Sequence, residues 1–178
     1  PQDGGSVRTT LHADLQHLVQ DALDARVRKH NADWGVVVIS DVSTGRILVL
    51  ADSGSTTPNP SKPQSVMGVQ APYEPGSVGK VLTVASALEK GTTTPTTAYS
   101  VPYSISPADA GGPISDYHEH GTEMMTTTGI LTQSSNVGTI EVGEQVGDRD
   151  RYDFMTKMGL NQVTGIELAG ESQGIMRD

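Results

Sequence analysis

The sequence has 178 residues, a formal net charge of −9 and an isoelectric point near 4.9. Its 12 lysines and arginines form no basic run, which argues against nucleic-acid binding, and the absence of cysteine excludes disulfides and thiolate metal sites. The length allows one hydrophobic core. The 20 glycines, 10 prolines and 4% aromatic residues indicate a loop-rich globular chain. The sequence contains no apolar run long enough to span a membrane.

Residues 1–6 are polar and glycine-rich and are interpreted as a linker, followed by a domain from 7 to 178. An amphipathic helix is predicted from Asp14 to about Lys29. Its apolar stripe consists of Leu15, Leu18, Val19, Ala22, Leu23 and Val27, with Gln16, Gln20, Asp21, Asp24 and Arg28 facing water. Apolar, β-branched runs at 34–40 and 46–50 predict an antiparallel hairpin with a turn longer than two residues. A long polar loop is expected over 51–71.

The second half of the sequence is predicted to be mainly helical. A helix begins at Ser77 and ends at Lys90-Gly91, and 101–113 is expected to be irregular. Further short helices are predicted at 124–132, with Ser134 at its end, and then at 136–146 and 148–158. The predicted fold class is α/β of the α+β type, with a helical cluster packed on an antiparallel sheet.

Ser77 and Lys80 carry the first chemical signal. Their i, i+3 spacing at a helix start places a hydroxyl and an amine on one face, one turn apart. A lysine can accept the serine proton, and unpaired amides at the helix N-terminus favour developing negative charge. Ser-x-x-Lys alone is a weak motif, and an exposed serine on an ordinary amphipathic helix is the simpler alternative.

A second triplet, Ser134-Ser135-Asn136, strengthens the first signal. Residues 74–80 read Glu-Pro-Gly-Ser-Val-Gly-Lys, and 134–138 read Ser-Ser-Asn-Val-Gly. Together they resemble the penicillin-binding protein transpeptidases, specifically the class B group serving septal or elongation wall synthesis. The resemblance extends from about Val7 to Glu171, and implies a fold like that of penicillin-binding transpeptidases and β-lactamases.

The resemblance also implies a mechanism of acyl transfer. Ser77 is expected to attack a D-Ala-D-Ala stem peptide, Lys80 to accept its proton, and Ser134 to relay a proton to the leaving amine. Asn136 is expected to bind the substrate backbone. A β-lactam is expected to acylate Ser77. Neither a cofactor nor a metal is implied.

The family's Lys-Thr-Gly triplet is absent from this sequence. The chain is therefore expected to be a C-terminally truncated transpeptidase domain, with later sheet strands missing, inactive by itself and prone to self-association. The resemblance further implies a membrane-anchored parent on the extracytoplasmic face of a bacterial membrane, with division or elongation proteins as possible partners.

Two other function classes stay open. One is an acyl-serine hydrolase of the same superfamily, a D,D-carboxypeptidase or β-lactamase, in which water replaces the amine. The other is a non-catalytic penicillin-sensing or divisome interaction module.

Other clusters receive structural interpretations. Asp116, His118, Glu119 and His120 crowd one loop, but zinc ligands usually come from separated elements, so loop structure is favoured, with His120-Gly121 preceding a helix as in the family. Met124, Met125, Met155 and Met158 are expected to fill gaps in the core. Glu141, Glu144, Asp148 and Asp150 are expected on solvated helix faces.

Overall fold

The computed structural model describes residues 4–53, 66–107 and 110–176. The chain divides into two compact units, of which the first comprises Pro1–Ala71 with Ile166–Ser172 and the second Pro72–Gly165 with Gln173–Asp178. Each unit has its own cluster of buried apolar side chains. Most of the predicted 51–71 loop, residues 54–65, lies outside the described residues.

The first unit is a hairpin covered by a helix. Helix α1 (Ala13–His30) precedes strands β1 (Gly35–Ser40) and β2 (Ile47–Ser53), and a short helix α2 (Met67–Gln70) follows. The strands pair antiparallel, with Val38 opposite Leu50. The predicted hairpin and its long turn are confirmed, but strand β2 and α2 occupy both ends of the segment predicted as a loop.

Helix α1 packs on β2 through a single row of side chains. Leu23 is buried with Val49 and Ala51, while Leu15, Val19 and Val27 pack against them. These α1 residues recur every four positions and share one face. Leu18 and Ala22 lie beside that row and are exposed, so their predicted place in the stripe is wrong.

Two glutamines predicted to face water instead bond the outer edge of β2. The Gln16 side chain accepts from Leu50 N at 2.9 Å and donates to Leu50 O at 3.0 Å. Gln20 Nε2 donates to the carbonyl oxygen of Asp52 and to the Asp24 carboxylate, which is also half-buried. These side chains satisfy backbone groups that β1 leaves unpaired, and buried backbone groups require partners.

The second unit is a helical cluster with two short strand pairs. A 3₁₀ turn (Gly76–Val78) leads into α3 (Gly79–Lys90). The elements that follow are β3 (Ala98–Val101), β4 (Ser104–Ile105), β5 (Ile114–Ser115), β6 (Glu123–Thr126), α4 (Thr127–Gln133), α5 (Asn136–Glu144) and α6 (Asp148–Lys157). Strand β3 pairs antiparallel with β6, and β4 with β5.

Strand pairing corrects two of the predicted segments. Residues 123–126, predicted as helix from 124, form β6 because they pair with β3, and helix α4 starts only at Thr127. Thr126 caps that helix by accepting a hydrogen bond from Gly129 N at 3.1 Å. The segment 101–113, predicted as irregular, contains β4 and the end of β3. Pairing with a distant segment outweighs the local signal in both cases.

Helices α3, α4 and α5 enclose the core of this unit. Its buried side chains are Val84, Ala87, Val101, Ile130, Val137, Val142 and Val146. Gly138 packs against Ile130 so closely that a Cβ atom there would lie 2.7 Å from Ile130 Cγ1. Met125 packs against the cluster, but Met124 and Met158 are exposed, so the prediction that they fill core gaps is wrong.

The described helices and strands confirm the predicted fold class, a helical cluster combined with antiparallel strands. Over the same residues, none of the helices combines the length and apolar character that crossing a bilayer requires.

Candidate active site

Ser77 lies in the 3₁₀ turn that leads directly into α3. Gly76 adopts a φ of 57°, a left-handed conformation that glycine reaches without steric cost. Ser77 is exposed, and its hydroxyl makes no hydrogen bond to another described residue. Lys80 follows three residues later in the first turn of α3, so both residues stand at the start of one helical segment.

Lys80 contacts Ser134 across the second unit. Its Nζ donates to Ser134 Oγ at 3.1 Å and also to the Ser134 carbonyl oxygen. The predicted meeting of Lys80 and Ser134 is therefore confirmed, while the convergence of Ser77 Oγ with them stays a prediction. Hydrogen bonds of catalytic groups are often long or unformed before substrate binds.

Ser134 owes its position to an unusual backbone conformation. It ends α4 in the left-handed region, with φ 55° and ψ 38°, which is uncommon for a residue with a side chain. Ser135 then caps α5, accepting from Gly138 N at 2.8 Å. Ser134 and Ser135 thus form a two-residue corner between α4 and α5.

Asp116 anchors the other side of this corner. Its Oδ1 accepts from the backbone amides of Asn136 at 2.6 Å and Val137 at 3.0 Å. Its Oδ2 accepts from Ser135 Oγ at 2.7 Å and lies 3.1 Å from His120 Nε2. The side chain is buried, with 8% of its surface exposed. A carboxylate at this helix N-terminus satisfies amides that have no partner inside the helix.

Burial and these contacts shift the pKa values of the charged groups. Burial lowers the pKa of Lys80 below its ordinary value, and the negative charge of Asp116 opposes that shift. Burial by itself raises the pKa of Asp116, but the hydrogen bonds from Val137, Ser135, His120 and Asn136 outweigh it and leave the pKa low. Asp116 is therefore ionised at neutral pH, and Lys80 loses its proton more readily than a free lysine.

Asn136 follows Ser134 by two residues and is the first residue of α5. Its side-chain Nδ2 donates to Ser115 O at 2.7 Å, and the residue is half-buried. That bond fixes the amide plane and leaves its oxygen without a partner among the described residues. A fixed amide with an open acceptor is suited to a peptide N–H.

The acidic and histidine-rich loop forms no metal site among the described residues. Asp116 and His120 form a pair in this loop, and both side chains are largely buried, with 8% and 14% of their surfaces exposed. The sequence pattern did not predict a role for Ser135, nor that Asp116 would bind the start of α5. The available signal was an aspartate that precedes a Ser-Asn helix start. Only tertiary packing brings Asp116 to Ser135 and Asn136.

A cavity of about 430 Å³ also lies in the second unit, lined by Thr83, Ile140, Glu144, Arg151 and neighbouring residues. Ser77, Lys80, Ser134 and Asn136 do not line it. Side-chain contacts, not this cavity, define the candidate site.

Comparison with known proteins places these features in a family. The family described as penicillin binding protein transpeptidase domain matches residues 35–178. The chain is 35% identical to penicillin-binding protein PbpB of Mycolicibacterium smegmatis, over 98% of this chain and 28% of that protein. It is 31% identical to peptidoglycan D,D-transpeptidase FtsI of Escherichia coli, over 98% of this chain and 30% of that protein.

Solved structures agree with the sequence relatives. Penicillin-binding protein 3 of Mycobacterium tuberculosis, crystallised with aztreonam, superposes with a TM-score of 0.83 at 34% identity, over 98% of this chain and 42% of that one. A peptidoglycan synthetase from Bifidobacterium adolescentis gives a TM-score of 0.83 at 35% identity, over 94% of this chain and 31% of that one. The chain spans less than half the length of the curated relatives described, about 28% and 30%.

Proposed function

Because this chain belongs to the penicillin-binding protein transpeptidase domain family, we propose that it carries the acylation site of a peptidoglycan D,D-transpeptidase. The observation that carries the proposal is the contact of Lys80 Nζ with Ser134 Oγ, one helical turn after Ser77. The relatives named D,D-transpeptidases and the relative crystallised with aztreonam support a D-Ala-D-Ala stem peptide as substrate and a β-lactam as its mimic.

Acylation begins with Ser77. Its oxygen attacks the carbonyl of the penultimate D-Ala while its proton passes to Lys80. A neutral Lys80 has two N–H groups and one lone pair. Donation of both N–H groups to the Ser134 hydroxyl and carbonyl oxygens leaves that lone pair free to accept the serine proton.

Collapse of the tetrahedral intermediate breaks the peptide bond. The leaving amine of the terminal D-Ala takes a proton through the Ser134 hydroxyl, which is replenished from Lys80, so the proton taken from Ser77 leaves with the product. Asn136 offers its open amide oxygen to a substrate N–H. The amine of a second stem peptide then attacks the ester carbonyl and gives up a proton to Lys80, and Lys80 passes a proton to Ser77 Oγ as the ester bond breaks.

Electrostatics favours this assignment of roles. A lysine acts as a base only when its pKa is lowered, and burial of Lys80 lowers it. Because the pKa of Asp116 is low, its carboxylate stays negatively charged, and this charge limits how far the pKa of Lys80 is lowered. The active protein acts at the extracytoplasmic face of a bacterial membrane, where stem peptides are found, with wall-synthesis proteins as partners.

A fluorescent penicillin tests the assignment in the full-length protein. One serine should be labelled, and peptide mapping should identify Ser77. Ser77→Ala should abolish labelling, whereas Ser43→Ala, at an exposed hydroxyl in the first unit, should leave it unchanged. Equal labelling of Ser77→Ala and the unsubstituted protein would disprove the site. An acceptor amine added with a stem peptide separates cross-linking from hydrolysis, since a hydrolase releases only the shortened peptide.

A further inference from the structure

We propose that Asp116 is a positioning residue for acyl transfer, holding the Ser134–Asn136 corner so that Ser134 stays against Lys80. The inference rests on the proposed function and adds a residue to it. Its basis is the carboxylate itself, which contacts three consecutive residues following Ser134 and is almost wholly buried.

The contacts divide between the two carboxylate oxygens. Oδ1 accepts two backbone amides, and Oδ2 accepts the Ser135 hydroxyl and lies 3.1 Å from His120 Nε2. An asparagine could keep its oxygen on the two amides, but it would turn an NH₂ group towards the Ser135 hydroxyl and would carry no charge. Replacing Asp116 by Asn therefore reverses the bond with Ser135 and replaces charge-assisted bonds by weaker neutral ones, while keeping the shape of the side chain.

The corner needs such an anchor because its backbone is strained. Ser134 has positive φ, and its own amide bonds Leu131 O at 3.2 Å while Ser135 N bonds Ile130 O at 3.0 Å. These two bonds hold the corner only from the α4 side. Asp116 holds it from the α5 side through Ser135, Asn136 and Val137. Without it, the Ser134 hydroxyl can shift relative to Lys80.

Asp116 also acts on Lys80 through its charge. Asp116 interacts electrostatically with three other charged groups, Lys80, His120 and Glu141. His120 also interacts electrostatically with Glu123. The negative charge of Asp116 raises the pKa of Lys80 against the lowering effect of burial. Loss of that charge should lower the pKa of Lys80 further, which a residue with a purely structural part would not do.

The test compares Asp116→Asn with Asp153→Asn, which removes the same charge from an exposed ion pair with Arg149. Lys80 is titrated by NMR in protein with ¹³C-labelled lysines, and Lys80→Arg assigns its signal among the five lysines of the sequence. The limiting acylation rate is measured with fluorescent penicillin in the full-length protein, on the alkaline plateau, where Lys80 is neutral in every variant.

Asp116→Asn should lower the pKa of Lys80 and reduce the limiting acylation rate by about tenfold to a hundredfold, as displaced catalytic groups do. Asp153→Asn should change neither. A limiting acylation rate of folded Asp116→Asn equal to that of the unsubstituted protein overturns the proposal. The Lys80 titration needs no acylation, so failure of Ser77 labelling would overturn the proposed function separately.

Ser135→Ala is the second test variant, for the case that Asp116→Asn does not fold. This substitution removes only the hydroxyl that donates to Asp116 Oδ2 and keeps the negative charge of Asp116. It should slow acylation and leave the pKa of Lys80 unchanged. Acylation at the unsubstituted rate would overturn the proposal.

Discussion

Lys80 Nζ lies 3.1 Å from Ser134 Oγ, although the two residues are 54 positions apart in the chain. The contact joins the first turn of α3 to the corner between α4 and α5. It depends on the left-handed backbone of Ser134 and on the anchor that Asp116 provides. The chemistry proposed for the site follows from this one pair.

Lys80→Arg should nearly abolish acylation of Ser77. Arginine keeps the positive charge and can still donate to Ser134, but its pKa is too high for it to accept the serine proton. Loss of a general base typically slows a reaction by about 10²–10⁴-fold. Fluorescent penicillin labelling of the full-length protein measures the rate. Lys90→Arg, on the exposed end of α3, is the matched control. Acylation of Lys80→Arg within a few-fold of the unsubstituted rate would remove Lys80 from the mechanism.

The acylation rate should rise with pH along a limb set by Lys80. The pKa of Lys80 is lowered from 10.5 by burial, so the midpoint of the limb should lie below 10.5. The neutral amine is the reactive form, and the rate therefore increases through the pKa and then levels off. Stopped-flow acylation at several pH values gives the midpoint. A midpoint at or above 10.5, or no dependence on pH, would contradict the role of Lys80 as base.

The sequence predicted some of these features and missed others for identifiable reasons. Ser77 and Lys80 are three residues apart, so a predicted helix start is enough to place both at its first turn. The triplet Ser134-Ser135-Asn136 was identified by its resemblance to a family motif. Residues 124–126 were predicted as helix, because their pairing with β3 cannot be inferred from their own composition. Asp116 was assigned to a loop because its partners Ser135, Asn136 and Val137 follow about 20 positions later. Only the packed structure shows that contact.

Ser134→Ala should slow acylation and leave the fold intact. The hydroxyl accepts from Lys80 and is the proposed relay to the leaving amine, whereas the residue is exposed and its backbone conformation is held by neighbours. Removing a general acid–base partner typically costs about 10²–10⁴-fold in rate. Thermal unfolding should show little change. A large fall in melting temperature with a proportional loss of labelling would assign the hydroxyl a structural part instead.

His120 should make the stability of the fold fall as pH rises above about 6.5. Its pKa is raised by hydrogen bonding to Gly121 O and then to the Asp116 carboxylate, so folding favours the protonated ring. The contribution is fully present below the unfolded pKa near 6.5 and is lost as pH rises through the higher folded pKa. Denaturant unfolding at several pH values should show this loss, and His120→Gln should flatten it. A slope in His120→Gln as steep as in the unsubstituted protein would contradict this role of His120.

Gly138→Ala should destabilise the second unit. An added Cβ would lie 2.7 Å from Ile130 Cγ1 and 3.0 Å from its Cδ1, and Ile130 is fully buried. Overpacking of this kind costs about 1–3 kcal/mol, which outweighs the gain of up to about 1 kcal/mol from replacing a helical glycine. Gly129→Ala is the matched control, since its nearest neighbour would be Thr126 Oγ1 at 3.4 Å. Unfolding by urea should show a lower midpoint for Gly138→Ala and an equal or higher one for Gly129→Ala. Equal midpoints for both variants would mean that Ile130 moves aside without cost, and that the close contact at Gly138 does not limit the packing of α4 against α5.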